Sequence, residues 1–139
     1  MDKREAILVS TRIWSWLADN PEPHKSDWPG WKHNGGDVVE CINLCPLCQY
    51  VCDKYETDLE YAMACVFHCP VKWIEFTDHT DPHEFVESCE NKAVLPCEYY
   101  GSPYERWIGA RWTKNYNLAG ACAGEVRDAL VKALDKVGA

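Results

Sequence analysis

The sequence predicts a mainly α fold with long ordered loops, a small single domain spanning residues 1–139 and built around a zinc knuckle. Three observations predict it. Apolar residues recur at helical spacing at both ends of the chain. A stretch rich in proline, glycine and tryptophan follows the first periodic segment. Nine cysteines occur in 139 residues, two of them as Cys45-Pro-Leu-Cys48. The length suits one compact domain, and 47% hydrophobic with 26% charged residues is a globular composition.

The first element is an amphipathic helix over residues 2–18. Ala6, Val9, Ile13, Trp16 and Leu17 form its apolar stripe, with Lys3, Arg4 and Arg12 on the other face. Asn20-Pro21 ends it, because the residue before a proline is pushed out of the helical region. Residues 20–37 then hold three prolines, three glycines and two tryptophans. This is a structured loop, with Trp28 and Trp31 packed across the first helix rather than left in water. His24 and His33 lie on its surface, and Asn34-Gly35-Gly36-Asp37 is a turn signal.

Pro46 suits the first position of a helix, where its missing N–H costs nothing. The expected helix runs from about 46 to 66, with Leu47, Tyr50 or Val51, Tyr55, Leu59 and Ala62 or Met63 inward. Pro70 prevents its continuation. A short helix is expected from Pro82 to about Asn91. The last helix, 124–137, buries Val126, Ala129, Leu130, Ala133, Leu134 and Val137 along one face.

The cysteines carry the clearest chemistry. No run approaches the ~18 apolar residues of a membrane span, and residues 1–9 lack a secretory pattern. The expected setting is a reducing cytoplasm, where disulfides are disfavoured and dense cysteine means metal. Two thiolates in a Cys-x2-Cys knuckle grip one tetrahedral ion, and the intervening amides can hydrogen-bond the sulfurs. Cys65 and Cys69 extend the frame to C-x2-C-x16-C-x3-C. The second gap is one residue longer than a usual knuckle, so Cys97 is an alternative fourth ligand, and His68 could replace Cys65. Cys41, Cys45, Cys48 and Cys52 have helical spacing, but Pro46 interrupts any helix that would join them. Cys52 stays possible as a ligand. Cys122, among alanines and glycines, is a packing residue. Zinc is favoured over an iron–sulfur cluster, and the site is expected to be structural.

Charge narrows the partners. Twenty-two acids against fourteen bases give −8, concentrated in residues 37–60 (six acids, one base) and 75–98 (seven acids, one base). Four thiolates around zinc would bring the total to roughly −10. Such a field repels nucleic-acid backbones, which disfavours duplex binding. Residues 99–139 turn mildly basic, with six bases against four acids. There Tyr104, Arg106, Trp107, Arg111, Trp112 and Lys114 interleave ring and cation. Such a set can stack a base and hold a phosphate, form a protein hot spot, or cover the knuckle and close the core.

Several blocks together resemble a family of small cysteine-rich proteins encoded by bacteriophages and prophages. They are Ile13-Trp14-Ser15-Trp16-Leu17-Ala18-Asp19-Asn20-Pro21, Lys25-Ser26-Asp27-Trp28-Pro29-Gly30-Trp31, Asn34-Gly35-Gly36, Cys45-Pro46-Leu47-Cys48-Gln49-Tyr50, Cys69-Pro70-Val71-Lys72-Trp73 and Ser102-Pro103-Tyr104-Glu105-Arg106-Trp107. The resemblance implies a phage origin and a metal knuckle. Carried over, it points to Cys45, Cys48, Cys69 and Cys97 as ligands. Cys65 departs from the pattern by its longer gap, and Cys89 is the other candidate upstream of Ser102.

Three functions follow as expectations, in this order. The first is a non-enzymatic accessory protein in the cytoplasm of a bacterial host, binding and modulating a host protein such as a defence component. The second is a zinc-stabilised binder of a nucleotide or nucleic acid that uses the 104–116 stretch. The third is a metal-dependent hydrolase built on His79, His83 and neighbouring acids, which Pro82 makes a poor helical metal face. The sequence holds no Gly-rich phosphate loop and no nucleophile motif.

Overall fold

The computed structural model describes residues 1–41, 44–54, 69–71 and 102–137. Of these, 71% are helical, in four α-helices and short 3-10 turns, and none lies in a β-strand. The helices are α1 (Lys3–Asp19), α2 (Pro46–Lys54), α3 (Pro103–Trp112) and α4 (Tyr116–Val137). The expected continuation of α2 to 66 and the helix at 82–91 lie outside the described residues.

Helix α1 starts where Asp2 accepts a hydrogen bond from the Glu5 N–H at 2.8 Å, satisfying one of the free donors of the first turn. It ends at Asn20, whose backbone N–H and side-chain amide both reach the Trp16 carbonyl. Its buried stripe is Ala6, Ile7, Val9, Ser10, Ile13, Trp14 and Leu17. The inward indole is therefore Trp14, while Trp16 only packs at the margin of the core. The stripe is wider than periodicity implied, because α1 is covered from two sides. It lies along α4 and also against α2.

The tryptophan loop is ordered by its own backbone. One 3-10 turn, Lys25–Asp27, precedes an isolated bridge between Trp31 and Val38, and a second, Lys32–Asn34, lies between the bridge partners. Lys32 N–H donates to Val38 O and Val38 N–H to Gly30 O. Gly35 turns the chain with φ +94°, a conformation that side chains oppose. A Cβ at Gly36 would run into the Gly30 backbone, so the turn closes only with hydrogen there. Trp28 and Trp31 are both buried, edge to face, with ring centroids 5.2 Å apart. The Arg12 guanidinium of α1 lies over the Trp28 ring. The Trp31 Nε1–H donates to the Lys25 carbonyl, which satisfies the one polar atom its burial would strand.

Helix α2 begins at Pro46 and buries Leu47, Cys48, Tyr50 and Val51. Cys41 precedes it, off the helix, so the four cysteines at helical spacing do not form one stripe.

The aromatic stretch folds as α3, a helix absent from the expectations above. Its start is written locally: Ser102 caps it by accepting the Glu105 N–H at 3.1 Å, and Pro103 follows. Its end is a Schellman turn. Asn115 N–H reaches Ala110 O, Lys114 N–H reaches Arg111 O, and Lys114 takes the left-handed conformation with φ +59°. Helix α4 then starts at Tyr116, earlier than the expected 124–137, with Asn115 Oδ1 accepting the Leu118 N–H. Gly120 and Gly124 depress helix propensity and obscure this first half from sequence. Packing explains their neighbours: Ala119, Cys122 and Ala123 are buried, and a Cβ at Gly120 would already lie 3.3 Å from the Ala18 carbonyl. Small residues let α4 approach α1 closely. Val126, Leu130 and Ala133 extend the same face, whereas Ala129, Leu134 and Val137 sit at its edge.

Candidate functional site

The two proposed ligands of the knuckle lie at the start of α2. Leu44 adopts φ +51°, and its N–H bonds to the Cys41 carbonyl, turning the chain into the helix. Cys48 N–H points at the Cys45 sulfur at 3.4 Å. This is the amide-to-sulfur bond a Cys-x2-Cys knuckle uses to offset thiolate charge. Cys48 is buried and Cys45 half-buried. Cys69 is half-buried and packs at the margin of the same core, beside buried Val71. Among the described residues, no three His, Cys, Asp or Glu side chains gather closely enough to hold a metal ion. Cys97, Cys65, Cys89, His68, His79 and His83 lie outside the described residues. Cys41 and Cys52 flank the knuckle. Burial pushes the Cys41 thiol up, with Asp53 and Cys48 adding to it. Cys122 is fully buried between α4 and its neighbours, and burial raises its thiol also. Both conditions disfavour reactive thiolates.

The aromatic stretch divides its side chains between core and surface. Trp107 is 1% exposed and packs edge-on to Trp14 at 4.9 Å and parallel to Tyr104 at 5.8 Å. Among the described residues, its buried Nε1–H has no hydrogen-bond partner, nor has the Ser10 hydroxyl. Tyr104 receives a hydrogen bond from Lys25 Nζ at 2.9 Å, and the buried lysine also lies over its ring. Arg111 donates from Nη1 to the carbonyls of Pro21, Glu22 and Pro23, pinning the chain just after α1. Arg106 pairs with Glu125 at 2.8 Å on the surface. Trp112 and Lys114 are exposed. The six residues therefore do not assemble one stacking surface. Trp107, Tyr104 and Arg111 bind α3 to α1 and the loop, and Trp112 faces away from them.

Sequence reading missed Lys25, whose ammonium meets Tyr104 within the fold. The Ser-Pro-x-Glu start at Ser102 is a helix signal that would have set the phase of α3, and with it the outward position of Ile108, Gly109 and Trp112.

On the loop, both ring nitrogens of His33 face acceptors. Nδ1 lies 2.6 Å from Glu40 Oε1 and Nε2 2.9 Å from Ser26 O. An imidazole needs both protons to satisfy both contacts. The Ser26 carbonyl, then the Glu40 carboxylate, hold the His33 pKa above its ordinary value. The Glu40 carboxyl is held below its own by its backbone N–H, by the His33 N–H and by the ring. Burial, then the Arg111 charge, lowers His24, which lies against Trp107.

No family model, curated protein or solved structure matches the chain. Among the described residues, no helix is long and apolar enough to cross a membrane.

Proposed function

We propose that this chain is a phage-encoded, zinc-stabilised accessory protein that acts by binding a host protein in the bacterial cytoplasm, without catalysing a reaction. The observation that carries the reading is the acidic surface around the tryptophan loop. Asp19, Glu22, Asp27, Asp37 and Glu40 are all exposed there, on a chain of net charge −8. Val39, 64% exposed beside Glu40, adds an apolar contact. Such a surface attracts and orients a basic protein face and repels nucleic acid. A nucleotide-binding reading would need Trp107 and Arg111 free, and both are engaged within the fold.

In this reading Cys45, Cys48, Cys69 and Cys97 hold Zn2+ as a structural clip. It would close a segment of about fifty residues, a large constraint on the unfolded chain. The amide-to-sulfur bond at Cys45 supports the knuckle half of the site.

Two measurements test the proposal. Native mass spectrometry of protein purified without chelator is expected to show one zinc per chain, lost on denaturation; a metal-free folded chain removes the clip. Host-lysate capture on the immobilised chain is expected to retain a basic protein that salt elutes, and a Glu22→Lys/Asp27→Lys/Asp37→Lys variant is expected to lose it. Capture indifferent to both salt and charge reversal would sink the acidic-surface reading.

A further inference from the structure

Asn34-Gly35 in the tryptophan loop joins a structural need to a chemical weakness. The turn uses both residues. Gly35 takes φ +94°, which a side chain opposes. Asn34 ends the second 3-10 turn, and its Nδ2 donates to the carbonyls of Ser26 at 2.8 Å and Trp28 at 2.9 Å, tying the turn to the chain before it. An asparagine side chain is also an electrophile for the backbone nitrogen that follows it, and a following glycine leaves that nitrogen unshielded. The other five asparagines precede Pro21, Leu44, Lys92, Tyr116 and Leu118, none of which leaves it bare. The fold holds the reaction off. Ring closure needs the Gly35 nitrogen to swing round to the Asn34 Cγ, which takes Asn34 ψ out of the 3-10 range. That swing breaks the Gly35 N–H bond to Lys32 O at 3.1 Å and costs the side chain its bonds to both carbonyls. Asn34 itself is exposed, so water reaches it and geometry alone protects it.

We propose that Asn34 is a site of spontaneous deamidation gated by opening of the tryptophan loop, and that its products cannot close the loop as before. In the open loop the Gly35 nitrogen bonds to the Asn34 Cγ, and the side-chain nitrogen leaves as ammonia with the proton that Gly35 gives up. The five-membered imide then takes up one water. Cleavage of its Cγ–N bond yields aspartate, and cleavage of its bond to the main-chain carbonyl carbon yields isoaspartate, with the chain continuing through Cβ and Cγ. An ionised carboxylate only accepts hydrogen bonds, so the first product faces the Ser26 and Trp28 carbonyls with no proton to share. The second adds a carbon to the main chain, next to Gly36, which already sits so close to the Gly30 backbone that a Cβ would clash. Either product makes a reversible opening one-way. Glu40 resists that opening from outside the turn: its Oε1 accepts the His33 backbone N–H and faces Nδ1, each at 2.6 Å.

The test incubates the full chain in mildly alkaline buffer, folded and in guanidinium, and follows by peptide mapping the mass gain of NH2 exchanged for OH at Asn34. If only the open loop reacts, the folded rate is the denatured rate multiplied by the open fraction. The folded chain is expected to react at least about tenfold more slowly than the denatured one. Glu40→Ala lies away from the reacting bond, so it is expected to leave the denatured rate unchanged. It removes the hold on His33 and is expected to speed the folded reaction about fivefold. Asn34→Asp, which mimics one product, is expected to lower Tm by a few degrees. Equal folded and denatured rates, a folded rate that Glu40→Ala leaves unchanged, or an Asn34→Asp chain that melts with wild type overturns the proposal.

Discussion

Trp107 and Trp112 lie five residues apart on one ten-residue helix and face opposite media. The first is 1% exposed, wedged against Trp14, and the second is 88% exposed. Composition treats them alike, but the helix phase separates a core residue from a surface one. Truncating Trp107 to alanine is expected to cost about 3–5 kcal/mol, the penalty of a large cavity between α1 and α3. Truncating Trp112 is expected to change the stability of the fold by no more than about 0.5 kcal/mol. Urea denaturation checks both, and equal losses would contradict the assignment of the two rings.

Lys114 closes the turn between α3 and α4 in a left-handed conformation, φ +59°. A Cβ makes that conformation unfavourable by roughly 1 kcal/mol, and glycine removes the strain. Lys114→Gly is expected to stabilise the fold by about 0.5–1 kcal/mol, a rise of a few degrees in Tm. A fall in Tm would mean that the lysine side chain contributes more than its backbone costs.

The His33–Glu40 contact makes the tryptophan loop sensitive to pH. The folded pKa of His33 is raised, so its contribution is complete below the ordinary imidazole value of 6.5 and is lost as pH rises through the folded value. The folded pKa of Glu40 is lowered, so its contribution is complete above the ordinary carboxyl value of 4.5 and is lost as pH falls through the folded value. Both act together between 4.5 and 6.5. Melting curves of wild type and His33→Gln are expected to differ most in that window and to converge in alkali. A difference that is constant with pH would show that the ring acts by packing alone.

Cys48 and Cys122 are both buried, yet different forces act on them. Cys122→Ser places a hydroxyl among apolar neighbours and is expected to cost about 1–3 kcal/mol. Cys48→Ser is expected to cost more, because it also removes a zinc ligand under the proposed function. Chelator is expected to erase most of the difference between the two variants. Similar melting temperatures with zinc present would count against Cys48 as a ligand.

Much of the helical frame was legible along the chain. The stripe from Ala6 to Leu17, the stop at Asn20-Pro21, the start of α2 at Pro46 and the buried face of α4 follow from spacing and from the stereochemistry of proline. So does the burial of Trp28 and Trp31, whose rings are too costly to leave in water. The amide-to-sulfur bond from Cys48 to Cys45 is a local feature of four consecutive residues. Helix α3 was written in Ser102-Pro103 and Glu105, but the aromatic composition of the stretch masked its periodicity.

Short-range choices are thus written along the chain: charge balance, helix starts and stops, and which residues seek burial. The tertiary structure alone decided which tryptophans share the core and which cations are spent within the fold. Lys25 meets Tyr104 across 79 positions, and Arg111 reaches the carbonyls after α1 across about ninety. Local periodicity can say that a side chain points inward. It carries no record of which distant backbone will be waiting, because that depends on how every intervening element packs.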